Sequence, residues 1–127
     1  MPFLQRLKVK PDADQLADND RRTLVQHFDP YAGEVIIDGE AIPWTAVDEV
    51  EVAVAARARG PAGWLVRWLT YQGADRYHVA FYYGQREAVL HNITPEAARH
   101  VVQTLAYYAP HPVRYTGPDG FAPLTEH

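Results

Sequence analysis

A small α+β domain built mostly of antiparallel strands is the fold class this sequence predicts, and three observations predict it. Apolar residues recur with a period of two between residues 22 and 91, turn-forming residues punctuate that stretch at short intervals, and one run near the C-terminal end has helical spacing. The expectation is about seven strands closed by a single C-terminal helix, in a small barrel or as two orthogonal sheets. An antiparallel sheet with the helix across one face also fits. Strands first and a helix last argue against α/β folds, in which the two alternate.

The elements follow in order. Residues 1–20 read as an N-terminal strand and loop segment, acidic from Asp12 to Asp20, with at most a helical turn near Gln15. Residues 22–28 read as a strand, and Asp29-Pro30-Tyr31-Ala32-Gly33 as a turn. Residues 34–37 and 40–44 flank Asp38-Gly39, a pair that tolerates the positive φ of a type I′ hairpin turn. Pro43 cannot donate to a ladder, so that strand lies at an edge or ends there. Val50, Val52, Val54 and Ala56 alternate with Glu49, Glu51, Ala53 and Ala55, which predicts a strand with valines inward. Residues 64–71, 76–83 and 86–91 are further strands, the first two rich in aromatic rings.

Thr94 is placed to cap a helix, Pro95 suits its first position and Glu96 its first turn. Ala97, Ala98, Val101, Val102, Leu105 and Ala109 then fall on one face, which predicts a helix over residues 95–109. Pro110 and Pro112 stop it. Residues 21–109 form the expected single domain. Residues 110–127 read as a Pro/Gly-rich tail laid along the body through Val113, Tyr115 and Phe121, and removable without unfolding it.

Composition excludes whole classes of chemistry. The chain of 127 residues holds no cysteine and no serine. Disulfides, thiolate zinc sites and every serine-nucleophile mechanism are therefore ruled out. The formal net charge is −4, which disfavours a general grip on nucleic acid or anionic lipid. The first ten residues have no long apolar core, so no secretory signal is expected, and no run is long enough to insert in a membrane. A cytoplasmic protein without a cofactor is the expectation.

A hairpin at residues 35–44 ending in Ile42-Pro43-Trp44, then Val47, Val50, Val52 and Val54, and a closing helix at 94–109 after a short strand at 88–91, form a recognisable order. It resembles the pleckstrin-homology-like fold, especially its bacterial members. The resemblance implies a fold and an interaction role. It carries over no binding residue, because the basic first hairpin used by phosphoinositide-binding members has no counterpart beside Glu34, Asp38 and Glu40.

Candidate chemistry is sparse. The six histidines, at 27, 78, 91, 100, 111 and 127, form none of the usual metal-binding spacings. Glu49 and Glu51 share a strand face that reads as solvated. Asp29 with His27 and Asp75 with His78 are possible acid–base pairs without an identifiable nucleophile. The feature of most weight is the aromatic set on two neighbouring strands: Trp64, Trp68, Tyr71, Tyr77, Phe81, Tyr82 and Tyr83. Rings on both faces exceed what one core needs, and Arg67 and Arg76 stand among them. Trp64, Arg67, Trp68, Arg76, Tyr77 and Tyr82 are therefore the expected interface or ligand residues. The expected function is a non-enzymatic interaction module, through a protein partner or self-association. Binding of a small apolar or aromatic ligand between the strands and the helix is the alternative.

Overall fold

A computed structural model describes residues 3–55, 76–118 and 120–125 of the chain. Among these residues the architecture is α+β, with mostly antiparallel strands in two sheets and two helices. Among the described residues the sheets do not close into a barrel.

Chain order is β1 (Phe3–Leu4), a 3₁₀ turn (Ala13–Gln15), α1 (Asp18–His27), β2 (Phe28–Pro30), β3 (Glu34–Ile37), β4 (Glu40–Pro43) and a 3₁₀ turn (Trp44–Ala46). Then come β5 (Val47–Val54), β6 (Tyr77–Tyr83), β7 (Arg86–Ile93), α2 (Pro95–Tyr108), β8 (Arg114–Thr116) and β9 (Leu124–Thr125). The larger sheet has the order β7-β6-β5-β8-β1-β9, and the smaller β2-β3-β4.

Several local rules act as expected. Asp38 and Gly39 take φ of 50° and 86°, and Ile37 pairs with Glu40 around them. Pro43 ends β4, an edge strand of its sheet. The Thr94 hydroxyl accepts the Ala97 amide at 3.2 Å, with Pro95 opening α2. Val79, Phe81 and Tyr83 of β6 face inward with Val47, Val50 and Val52 of β5. Val54, on the same face, is 60% exposed, so the inward row of valines stops at Val52.

Of residues 22–28, expected as a strand, only Phe28 lies in one, opening β2, and residues 22–27 belong instead to α1. Asp18 and Asp20 lie in its first turn, and Asp18 accepts from Arg21 at 2.5 Å, one turn on. Of its side chains only Leu24 is buried, and Val25 is 72% exposed. The run of Thr23, Leu24 and Val25 therefore imitates a strand, while the stabilising interactions are those of a helix start. The expected single helix is thus one of two among the described residues.

The stretch after Pro110 is more than a strap. β8 lies between β5 and β1 inside the larger sheet, and it runs parallel to β5. Val113, Tyr115 and Phe121 are buried in the core, as their apolar character suggested. α2 packs against β6 with Ala97, Ala98, Val101, Val102, Leu105 and Ala109 all buried. Trp44, 1% exposed, anchors the other end of the core, donating from its indole to the Tyr31 carbonyl at 2.6 Å. No helix among the described residues is long and apolar enough to cross a membrane.

Candidate functional site

Of the expected interface residues, Arg76, Tyr77 and Tyr82 are described. Trp64, Arg67, Trp68 and Tyr71 lie outside the described residues, as does Asp75. Arg76 immediately precedes β6, where its carbonyl accepts the Ala55 amide at 2.8 Å. Tyr77 is half-buried against Phe121, with ring centroids 4.7 Å apart. Tyr82 points the other way, onto the sheet face opposite α2.

That outer face has a definite pattern. Register sets Glu87, Tyr82, Glu49 and Arg114 in one row across β7, β6, β5 and β8. The Tyr82 phenol donates to Glu51 at 2.6 Å. This bond, partial burial and the charges of Glu51, Glu87 and Glu49 push its pKa up to about 12. Glu49 meets Arg114 at 3.5 Å and accepts the Thr116 hydroxyl at 3.1 Å.

The histidines find other partners than the sequence suggested. His27 bonds Asp38 at 2.6 Å, while Asp29 accepts from the Tyr31 hydroxyl at 2.6 Å. The His27–Asp38 pair opens on a crevice of about 120 Å³ that His91 and Thr23 also line. The Thr23 hydroxyl there donates to the Asn19 carbonyl at 2.9 Å. His78 stacks edge-on against His91 at 4.9 Å, and its Nδ1 accepts the Asn92 amide at 3.1 Å. Burial first, and then the neighbouring His91, lower the His78 pKa. No group of three metal-ligating side chains occurs among the described residues.

The best-formed candidate site lies elsewhere, along the C-terminal half of α2. The segment after β1 is tied down by backbone bonds: Leu4 to Val113 at 2.9 Å, Gln5 to Pro123 at 2.8 Å and Leu7 to Ala106 at 3.2 Å. The last bond has a local cause. The Ala106 carbonyl would take the amide of residue 110 in a continued helix, but Pro110 has none, so Leu7 supplies it. With Leu7 held against the core, Arg6 and Lys8 on either side of it face solvent.

Tyr107 and Tyr108 form the facing wall. Tyr108 stacks on Trp44, with centroids 5.1 Å apart and planes 10° from parallel, and meets Tyr107 edge-on at 4.9 Å. The Lys10 ammonium stands 6.0 Å from the Tyr108 ring centroid. Arg6, Leu7, Lys8, Ala32, Tyr107 and Tyr108 enclose a shallow groove of about 570 Å³. Arg6 also rims a second, more apolar cleft of about 340 Å³ between β1 and the α2–β8 turn, walled by Phe3, Ala106, Ala109, Pro110 and Pro112.

The groove cations are distinguished by standing together, since Arg22, Arg76 and Arg99 elsewhere also meet no carboxylate among the described residues. Arg21, Arg86 and Arg114 each meet a carboxylate. Arg6, Lys8 and Lys10 have no ion-pair partner among the described residues, and Lys8 and Lys10 are the only lysines in the chain. The carbonyl end of α2 favours cations here. The groove can therefore hold an anionic group beside flat aromatic surface. One sequence signal marked it: Arg6, Lys8 and Lys10 alternate without an acid until Asp12.

Comparison of the chain with protein families, with curated proteins and with solved structures yields no match.

Proposed function

We propose that the chain is a non-enzymatic interaction module that takes an acidic protein segment into the groove of Arg6, Lys8, Tyr107 and Tyr108. The observation that carries this reading is the gathering of Arg6, Lys8 and Lys10, unpaired among the described residues, beside exposed tyrosine edges in a chain of net charge −4. Arginine and tyrosine are also the residues that protein interfaces favour.

A pleckstrin-homology-like ancestry belongs to the same reading. It is supported by two antiparallel meanders, β2–β3–β4 and β5–β6–β7, with a helix following the second. In this reading α1 and the interior strand β8 are additions to that core.

The test is titration of a short polyglutamate peptide into isotopically labelled protein. Amide shifts are expected at Leu7, Lys8, Tyr107 and Tyr108, and their loss in a folded Arg6→Glu, Lys8→Glu variant. Shifts elsewhere, or none, would refute the groove as the binding face.

The apolar cleft beside it favours a second reading, capture of a small apolar carboxylate with Arg6 at the rim. A rise in melting temperature with hexanoate, absent in Arg6→Gln, supports that reading; no rise rejects it.

A further inference from the structure

We propose that the acidic partner of the groove is a second copy of this chain, bound through the carboxylates around Tyr82 on the outer face of its sheet. The inference rests on the groove being a binding face, and it names the occupant.

Charge complementarity carries it. The groove of one copy presents Arg6, Lys8 and Lys10, none of them ion-paired among the described residues. On the outer face Glu51 accepts the Tyr82 phenol at 2.6 Å, and Glu49 and Glu87 are the cross-strand neighbours of Tyr82 on either side. Arg114 offsets part of this charge, from 3.5 Å, and only at Glu49. Glu87 has no ion-pair partner among the described residues. Small side chains neighbour the carboxylates, Ala53 and Val89 beside the buried Ala80. An aromatic ring with small neighbours suits close approach of a second surface.

The geometry also decides which copies can meet. α2 covers the inner face of β6, and the carboxylates lie on the opposite face of the same sheet. Groove and acidic patch therefore point away from each other and cannot pair within one chain. Joining a groove to a patch of another copy leaves one free groove and one free patch, so the contact is heterologous and propagates. Exposed ion pairs dominate it, which makes it weak and sensitive to salt.

The experiment is light scattering on the full chain across a concentration series, at about 0.02 M and about 0.5 M salt. At low salt the mean mass should climb with concentration beyond twice the 14.4 kDa of one chain, and at high salt association should weaken by about tenfold or more. Two charge-reversed chains, one with Arg6→Glu and Lys8→Glu, the other with Glu51→Lys and Glu87→Lys, should each be monomeric alone. An equimolar mixture should assemble again, because each then offers the other a complementary pair. If the second variant is unfolded by circular dichroism, Glu87→Lys alone, at an exposed site, replaces it. A wild-type chain that stays monomeric at low salt, or a mixture that fails to assemble, overturns the proposal. A monomeric chain that still binds polyglutamate at Leu7 and Tyr108 keeps the groove and loses only the second copy; one that binds no polyglutamate loses both.

Discussion

The Leu7 amide donates to the Ala106 carbonyl across 3.2 Å, joining the N-terminal segment to the last turn of α2. Pro110 makes the bond possible by withholding the amide that would otherwise compete. One proline thus ends a helix and recruits a distant strand of chain, which positions Arg6 and Lys8 as groove walls.

Leu7→Pro removes this donor, and a stability loss of about 1–3 kcal/mol is expected from the carbonyl left without a partner. In a Pro110→Ala background the helix can bond its own carbonyl, so the same change should cost less. Urea unfolding of the four chains in the cycle checks this. Equal costs in both backgrounds would show that the bond contributes nothing.

Deletion from residue 110 onward should abolish cooperative folding. It removes Val113, Tyr115 and Phe121 from the core, a loss of about 5–9 kcal/mol at about 1.5–3 kcal/mol for each side chain. That is comparable with the whole stability of a domain, about 5–15 kcal/mol. It also takes an interior strand from the larger sheet. A sharp thermal transition in the truncated chain would restore the removable tail expected from sequence.

Gly117→Ala is expected to destabilise by about 1–3 kcal/mol. Gly117 has φ of 153°, and a methyl group there would stand 2.7 Å from the Val52 carbonyl oxygen and 2.9 Å from the Tyr115 hydroxyl. That hydroxyl donates to the Pro118 carbonyl at 2.6 Å, so it cannot move without losing the bond. The unfolding midpoint in urea decides; an unchanged value would mean that the turn after β8 relaxes freely.

Stability should fall as pH is lowered below about 6.5. Burial lowers the pKa of both His78 and His100; His91 adds to it at the first, while at the second Asp12 opposes and Lys10 assists. Each group is held neutral in the folded chain and takes a proton more readily when unfolded. Stability is present above the unfolded pKa and is lost as pH falls toward the folded one. Urea midpoints at pH 7.5 and 5.5 measure the slope, and His100→Gln should flatten it. An unaltered slope in that variant would remove His100 from the account.

How much of this was legible in the sequence depends on how far apart the deciding residues lie. Asp38-Gly39 needs only two residues with positive φ, and Thr94 with Pro95 needs only one helical turn; both signals are local and both elements form. α1 misled because its cues are electrostatic, Asp18 with Arg21, while its one buried side chain, Leu24, makes no apolar stripe. Tyr82 was singled out for its ring, but its surroundings of Glu49, Glu51 and Glu87 come from strand register, which periodicity does not specify.

By itself, then, the sequence determined the fold class, the hairpin, β6, the main helix and the exclusion of thiol and serine chemistry. These depend on residue identity and on spacings within one element. Only the tertiary structure decided that β8 is interior and parallel to β5, and that residues 6–10 meet Tyr107 and Tyr108. Those contacts join segments 65 to about a hundred residues apart, and the cost of loop closure grows only slowly with length. The chain therefore settles such pairings by how well the surfaces pack, which no local pattern records.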